Sequence, residues 1–201
     1  IVGTTVASST GSFSFNPPSA LPDGPHQVTA QAADSIGNSS SVSAPRSFTV
    51  DTVAPAAPVV TEPAANSTVG LTSPTVRGTA EANSIVTVIV DSVAAGTVVA
   101  DASGNWTFTT APLSQGQHSV SGTARDAAGN VSPAATQVVF TIDTTVLDTS
   151  ILTGPRTPSP NATAQFSFSS NKTPVTYECS LDSGAFTTCA NPATFSTLSN
   201  G

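Results

Sequence analysis

The chain has no methionine, one tryptophan, one tyrosine, and 5 Lys and Arg residues against 12 Asp and Glu in 201 positions. So few cations exclude the basic face that binds nucleic acid. No apolar run approaches the roughly 18 residues of a membrane-spanning helix. No long stretch repeats its apolar residues at helical spacing. Only 8% of residues are charged, with a net charge of -7, and 5% are aromatic, so exposed aromatic anchors for a ligand are few. No signal peptide is visible. The opening IVGTT and closing TLSNG read as ends cut from a longer protein.

What is abundant is Ser, Thr, Ala and Val, with 16 Pro and 14 Gly. The 38% of hydrophobic residues are set in alternating strings rather than scattered. Alternation at period two predicts half-buried strands and argues against disorder. A repeat then appears. GSFSF (from Gly11) matches GNWTF (from Gly104), and LPDGPH (from Leu21) matches LSQGQH (from Leu113). ADSIGNSS matches ARDAAGNVS, and RSFTVDT, ending at Thr52, matches VVFTIDT, ending at Thr144. The offset is about 92 residues throughout, the signature of a tandem array. It divides the chain into the back part of one domain (1–52), a complete domain (53–144) and the front part of a third (145–201), which ends on LSNG where the others read LSQG or LPDG. The Pro-rich VAPAAP after Thr52 is a stiff linker.

In the complete domain, strands are expected near Val59–Thr61, Thr75–Ala80, Ile85–Val90, Thr97–Ala100, from Trp106, from His118 and from Gln137. Trp106 and Phe108 share a face, as do Val120, Gly122 and Ala124, and Val138, Phe140 and Ile142. One buried face per strand, with seven short strands in about 92 residues, predicts an all-β, immunoglobulin-like β-sandwich. By the same parity Val28 of the first piece faces inward.

The motif A-x-D-x-A-G-N-x-S, at Ala32–Ser40 and Ala124–Ser132, followed by F-x-[VI]-D-T, resembles the tandem bacterial immunoglobulin-like domains of large surface adhesins and other secreted repeat proteins. YECSLDSGAFTTC, from Tyr177, resembles another bacterial repeat type with a cysteine pair. The resemblance implies an elongated array whose partners are neighbouring repeats of the same chain, with lateral or end-to-end self-association through sandwich edges. It also implies a bacterial cell-surface or extracellular location, with neither nucleic-acid binding nor membrane insertion.

Three groups could carry chemistry. His26 and His118 occupy one repeat position and are expected to cap the core, hydrogen-bonded to a neighbouring turn. No nucleophile motif accompanies them. Cys179 and Cys189 flank Gly184. A three-residue loop Ser183–Ala185 would set them directly opposite each other, within disulfide reach. The alternatives are two buried thiols or half of a metal site. A disulfide implies an oxidising compartment. Finally, sorting the loops by end places Glu81, Asp101 and Asp126 at the end where the linker arrives with Asp51. Carboxylates gathered at a joint repel unless a cation sits between them. Calcium takes six to eight oxygen ligands, and the resemblance points the same way. The expected ligands are Asp51, Glu81, Asp126, Asp101 and Asn130. The other reading is that these Asp and Asn residues build tight turns. At the second joint Lys172 stands where Glu81 would be, which disfavours calcium there.

The function these features predict is a non-enzymatic stalk or spacer of a large adhesin or fibre. The alternatives are a ligand-binding adhesion module and an accessory repeat of a secreted enzyme.

Overall fold

The computed structural model describes residues 2–157 and 159–199, so the Asn200-Gly201 end of the LSNG match lies outside the described residues. It separates into two compact units, residues 1–143 and 144–201. Every regular element among the described residues is a strand.

The first unit opens with β1 (Gly24–Val28) and β2 (Arg46–Val50), an antiparallel pair in which His26 lies opposite Phe48. Val28 is exposed rather than inward, as are Phe13, Phe15 and Phe48, because no second sheet faces this pair among the described residues. Eight strands follow: β3 (Val59–Glu62), β4 (Thr68–Val69), β5 (Thr75–Thr79), β6 (Ile85–Val90), β7 (Val93–Val99), β8 (Asn105–Thr109), β9 (Gly116–Arg125) and β10 (Val138–Ile142). They form two sheets, β4-β10-β9-β6-β7 and β3-β5-β8. Strand β7 begins at Val93, well ahead of the expected start near Thr97, since Asp91 and Ser92, both at positive φ, make a tight reversal straight out of β6. Sequence periodicity does not reveal β4, which has two residues. Pro63 cannot donate to a ladder, so the first strand breaks there and its continuation crosses to pair parallel with β10.

The alternation acts as expected on the two facing sheets. Val86, Val88 and Val90 of β6, Val120 of β9, and Phe140 and Ile142 of β10 turn toward Val76 and Trp106 of the other sheet. At about 25 cal/mol per Å² of apolar area, these side chains supply the main stabilising term. Two glycines in this core mark close backbone approaches. A Cβ on Gly78 would strike the Val59 carbonyl and the Trp106 ring, and one on Gly122 would lie 2.6 Å from the Thr87 carbonyl oxygen.

The second unit has β11 (Thr149–Thr153), β12 (Ala164–Ser170), β13 (Tyr177–Cys179), β14 (Thr187–Cys189) and β15 (Ala193–Phe195). Strands β11-β12-β15 make one sheet, and β13-β14 a separate hairpin. Phe166 and Phe195 meet edge to face at 6.0 Å.

Phe140→Ala is expected to destabilise the first unit by about 4 kcal/mol. Gly122→Ala should cost about 2 kcal/mol through overpacking against Thr87. Urea unfolding followed by Trp106 fluorescence measures both, and a midpoint unchanged in either variant would contradict this account of the core.

Candidate functional site

One turn recurs along the first unit. In Asp101-Ala-Ser-Gly-Asn105, the Asp101 carboxylate accepts from the backbone N–H groups of Ser103 and Asn105, each at 2.8 Å. Gly104 donates to the Asp101 carbonyl at 2.9 Å, and Asp101 donates to the Asn105 carbonyl at 2.8 Å. Asp34-Ser-Ile-Gly-Asn38 and Asp126-Ala-Ala-Gly-Asn130 repeat the plan. The Asn side chain donates back to the Asp carboxylate, at 2.7 and 2.9 Å. Each glycine has φ between 83° and 101°, a left-handed conformation costly for a residue with a Cβ. Ser8-Ser-Thr-Gly-Ser12 builds the same turn with serines: Ser8 Oγ meets Ser12 Oγ at 2.8 Å and accepts from Thr10 N–H. The sequence shows SSTG as the acid-free counterpart of DASGN. That serine can replace both partners is visible only in the hydrogen bonds.

The Asp126 turn does more than reverse the chain. Asp126 is buried, and its carboxylate accepts from Gly129 N–H at 2.7 Å and Asn130 N–H at 2.9 Å. Burial alone would raise its pKa. The hydrogen bonds from the Asn130 side chain and from the Asn130, Gly129 and Ala128 backbones together hold it below the ordinary carboxylate value. The Asn130 amide nitrogen also donates to the Asp51 carbonyl oxygen at 3.1 Å, across 79 residues of sequence. The next residue, Thr52, is tied in the other direction. Its backbone N–H donates to Asp23 at 3.0 Å, and its hydroxyl to both Asp23 oxygens. The start of the linker is therefore held from both sides, by the LPDGPH loop of the first repeat and by the Asp126 turn of the sandwich.

The remaining expected ligands lie as follows. The Asp51 carboxylate accepts from Val53 N–H at 3.0 Å. Asp101 caps its own turn, which touches the Glu81–Ser84 loop through Asn83 N–H to the Ala100 and Asp101 carbonyls. Glu81 is exposed beside Ala56 and Ala57 of the linker and Val59 of β3. Ladder register sets these loops at one end of the sandwich, since Ile85 pairs with Arg125 and Val99, and Thr79 with Asn105 and Val59. Among the described residues no three His, Cys, Asp or Glu side chains are grouped to hold a metal. Between the Asp126 carboxylate and the Asp51 carbonyl stands the Asn130 N–H₂, which donates to both.

Cys179 and Cys189 form a disulfide with Cα atoms 5.8 Å apart. They are not directly opposite, as the three-residue loop required. Cys179 pairs with Thr187 and Cys189 with Tyr177. The turn centres on Asp182 and Ser183, both at positive φ, so the register moves by one residue on each strand and the bridge runs diagonally. His118 sits buried at the other end of the sandwich. Its Nδ1 meets Asp91 Oδ2 at 2.7 Å and its Nε2 the Ser114 carbonyl at 2.9 Å. Sequence reasoning does not find Asp91, because a turn residue 27 positions upstream carries no local signal.

A sequence model described as a bacterial Ig-like domain matches residues 1–52 and 62–144, about two thirds of the chain. No curated protein matches it.

Asp126→Ala is expected to lower the melting temperature more than Asp101→Ala, because Asp126 is buried and anchors Asn130, whereas Asp101 is exposed. The depressed carboxylate pKa means its contribution is present above about pH 4 and lost as pH falls through the lower folded value. The deficit of Asp126→Ala against wild type should therefore shrink below about pH 4. Equal effects of the two substitutions, or a deficit independent of pH, would contradict this assignment.

Proposed function

The chain belongs to the bacterial Ig-like domain family, and from that premise we propose that it is a non-enzymatic spacer of a longer surface or secreted protein, an adhesin or fibre in which sandwiches follow in tandem. Family membership supports the structural or adhesive class. The observation that carries the spacer reading is the doubly held linker start. Thr52 is bound back to Asp23, and the Asp51 carbonyl is bound forward to Asn130. A module meant only to carry a ligand site has no need to fix the chain leaving its neighbour. A spacer does, because the reach of an array is lost when its joints bend.

Side-chain placement supports the same reading. Trp106 and Phe140, the largest aromatic surfaces of the sandwich, are buried in its core and present nothing to a ligand. Neither histidine lies in a nucleophile-base arrangement, since both are engaged by backbone carbonyls. The Cys179–Cys189 bridge suits an extracytoplasmic location. The joint, as proposed, is closed by the Asn130 amide rather than by an ion.

The test is small-angle scattering of the full chain and of Asn130→Ala, with immobilised glycans and matrix proteins as probes. The wild type is expected to scatter as a rod and to be retained by none of the probes. Asn130→Ala should give a broader distance distribution at unchanged secondary structure. Scattering from a compact particle, or micromolar retention by a probe, would overturn the spacer reading. Millimolar Ca²⁺ added to chelator-treated protein is expected to leave the melting temperature unchanged, since a ligand bound only by the folded state must raise it. A rise that Asp126→Ala abolishes would show instead that Asp126, Asp51 and their neighbours regroup around the ion.

A further inference from the structure

His118 stands out among the buried polar residues because both of its ring nitrogens face acceptors. Nδ1 meets the Asp91 carboxylate at 2.7 Å, and Nε2 meets the Ser114 carbonyl at 2.9 Å. A neutral imidazole carries one N–H and one lone pair. Whichever tautomer it chose, a lone pair would point at an oxygen. Only the doubly protonated ring donates to both. The ring is packed against Phe140 at 6.1 Å, with 9% of its surface exposed.

Three segments meet at this ring. Asp91 is the first residue of the β6–β7 reversal, and its other oxygen accepts from Ser119 N–H at 2.8 Å. Ser114 belongs to the loop that leads into β9, and His118 is the third residue of that strand. The register places all of them at the end opposite Asn130, beside the last residues of β10, where Phe140 pairs with His118 and Ile142 with Gly116. His26 shows the core of the same device in the first repeat: Nε2 on the Pro22 carbonyl at 2.7 Å, and the ring against Phe48 at 5.6 Å.

We propose that His118, Asp91 and the Ser114 carbonyl form a proton-held latch that fastens the loop before β9 and the β6–β7 turn to the end of the sandwich where the chain departs. The latch is closed by the imidazolium and loosened on the Ser114 side when the ring loses a proton. Among the residues lining the shallow cavity beside the ring (Asp91, Gln117, Ser119, Gln137 and Val139), Asp91 alone ionises. The directions of titration agree with the geometry. Hydrogen bonds to Asp91 and then to the Ser114 carbonyl raise the His118 pKa above its ordinary value, outweighing burial. Burial of Asp91 acts to raise its pKa, but the bonds from His118 and Ser119 hold it below the usual carboxylate value.

The sign follows by linkage. A histidine with a raised folded pKa contributes fully below its unfolded value of about 6.5, and the contribution is lost as pH rises through the folded value. The depressed Asp91 contributes above about pH 4 and loses its share as pH falls through its own lower value. The latch is tightest between those limits.

The test is NMR of ¹⁵N-histidine-labelled full chain, with His26→Gln used to assign the signals, beside melting curves from about pH 6 to 9. The His118 ring is expected to be doubly protonated at about pH 6 and to titrate above about 6.5. The melting temperature should fall by roughly 4 °C across the range. Amide protection factors at Ser114 and Gln115, corrected for the intrinsic rise of exchange with pH, should fall over the same interval, ahead of those of the β6 and β9 amides. Asp91→Asn should move the His118 titration down and flatten the melting profile. A singly protonated ring at the acid end of the range, or a melting profile that Asp91→Asn leaves unaltered, would overturn the proposal. Should Asp91→Asn fail to fold, the wild-type ring titration decides by itself.

Discussion

The Asn130 side-chain amide is the contact through which the turn chemistry of this chain becomes long-range structure. It donates both to Asp126, four residues away, and to the Asp51 carbonyl on the linker. The first bond makes the second effective. Asn has two soft side-chain torsions, and ordering them costs entropy. Asp126 has already set them by accepting from Asn130 at backbone and side chain together. The amide then reaches Asp51 from a fixed position, with little further order to impose.

That position rests in turn on the packing beneath it. Strand β9 is long, Gly116 to Arg125, and alternate residues from His118 to Ala124 are buried. The strand is a strut that carries the histidine latch near one end and delivers the Asp126 turn at the other. Because side chains alternate with period two, a slip of one residue would expel Val120 and Ala124 and move both ends together. Gly122 keeps the strut close to β6, where any side chain would meet Thr87. The same residues that fill the core thus fix the relation between the two poles of the sandwich.

Much of this is readable in the residue order, for an identifiable reason. Strand positions follow from alternation, and the repeat offset supports them a second time. The Gly-Asn pairs mark turns because Gly supplies the positive φ and Asn the returning amide. What is not readable depends on partners distant in sequence. Asp91 reaches His118 only because β6 and β9 are neighbours in the sheet. Asn130 reaches Asp51 only because the linker folds back to the same end. Strand direction alone gathers the acids at one pole, but it cannot say that the Asp51, Asp101 and Asp126 carboxylates are each already engaged by backbone N–H groups nearby in sequence. The cysteine pairing follows even from the wrong register, since a diagonal bridge across a tight two-residue turn spans nearly the same distance as the direct one. Strand β4 leaves no trace in the pattern because two residues carry no period.

The central claim is that hydrogen bonds on both sides of Asp51-Thr52 hold the first repeat and the sandwich in one fixed relation. Residual dipolar couplings of the backbone amides in β1–β2 and in β3–β10 test it directly. A single alignment tensor fitting both sets is the predicted result. Two tensors of different magnitude or orientation would mean that the joint turns freely, and would contradict the claim.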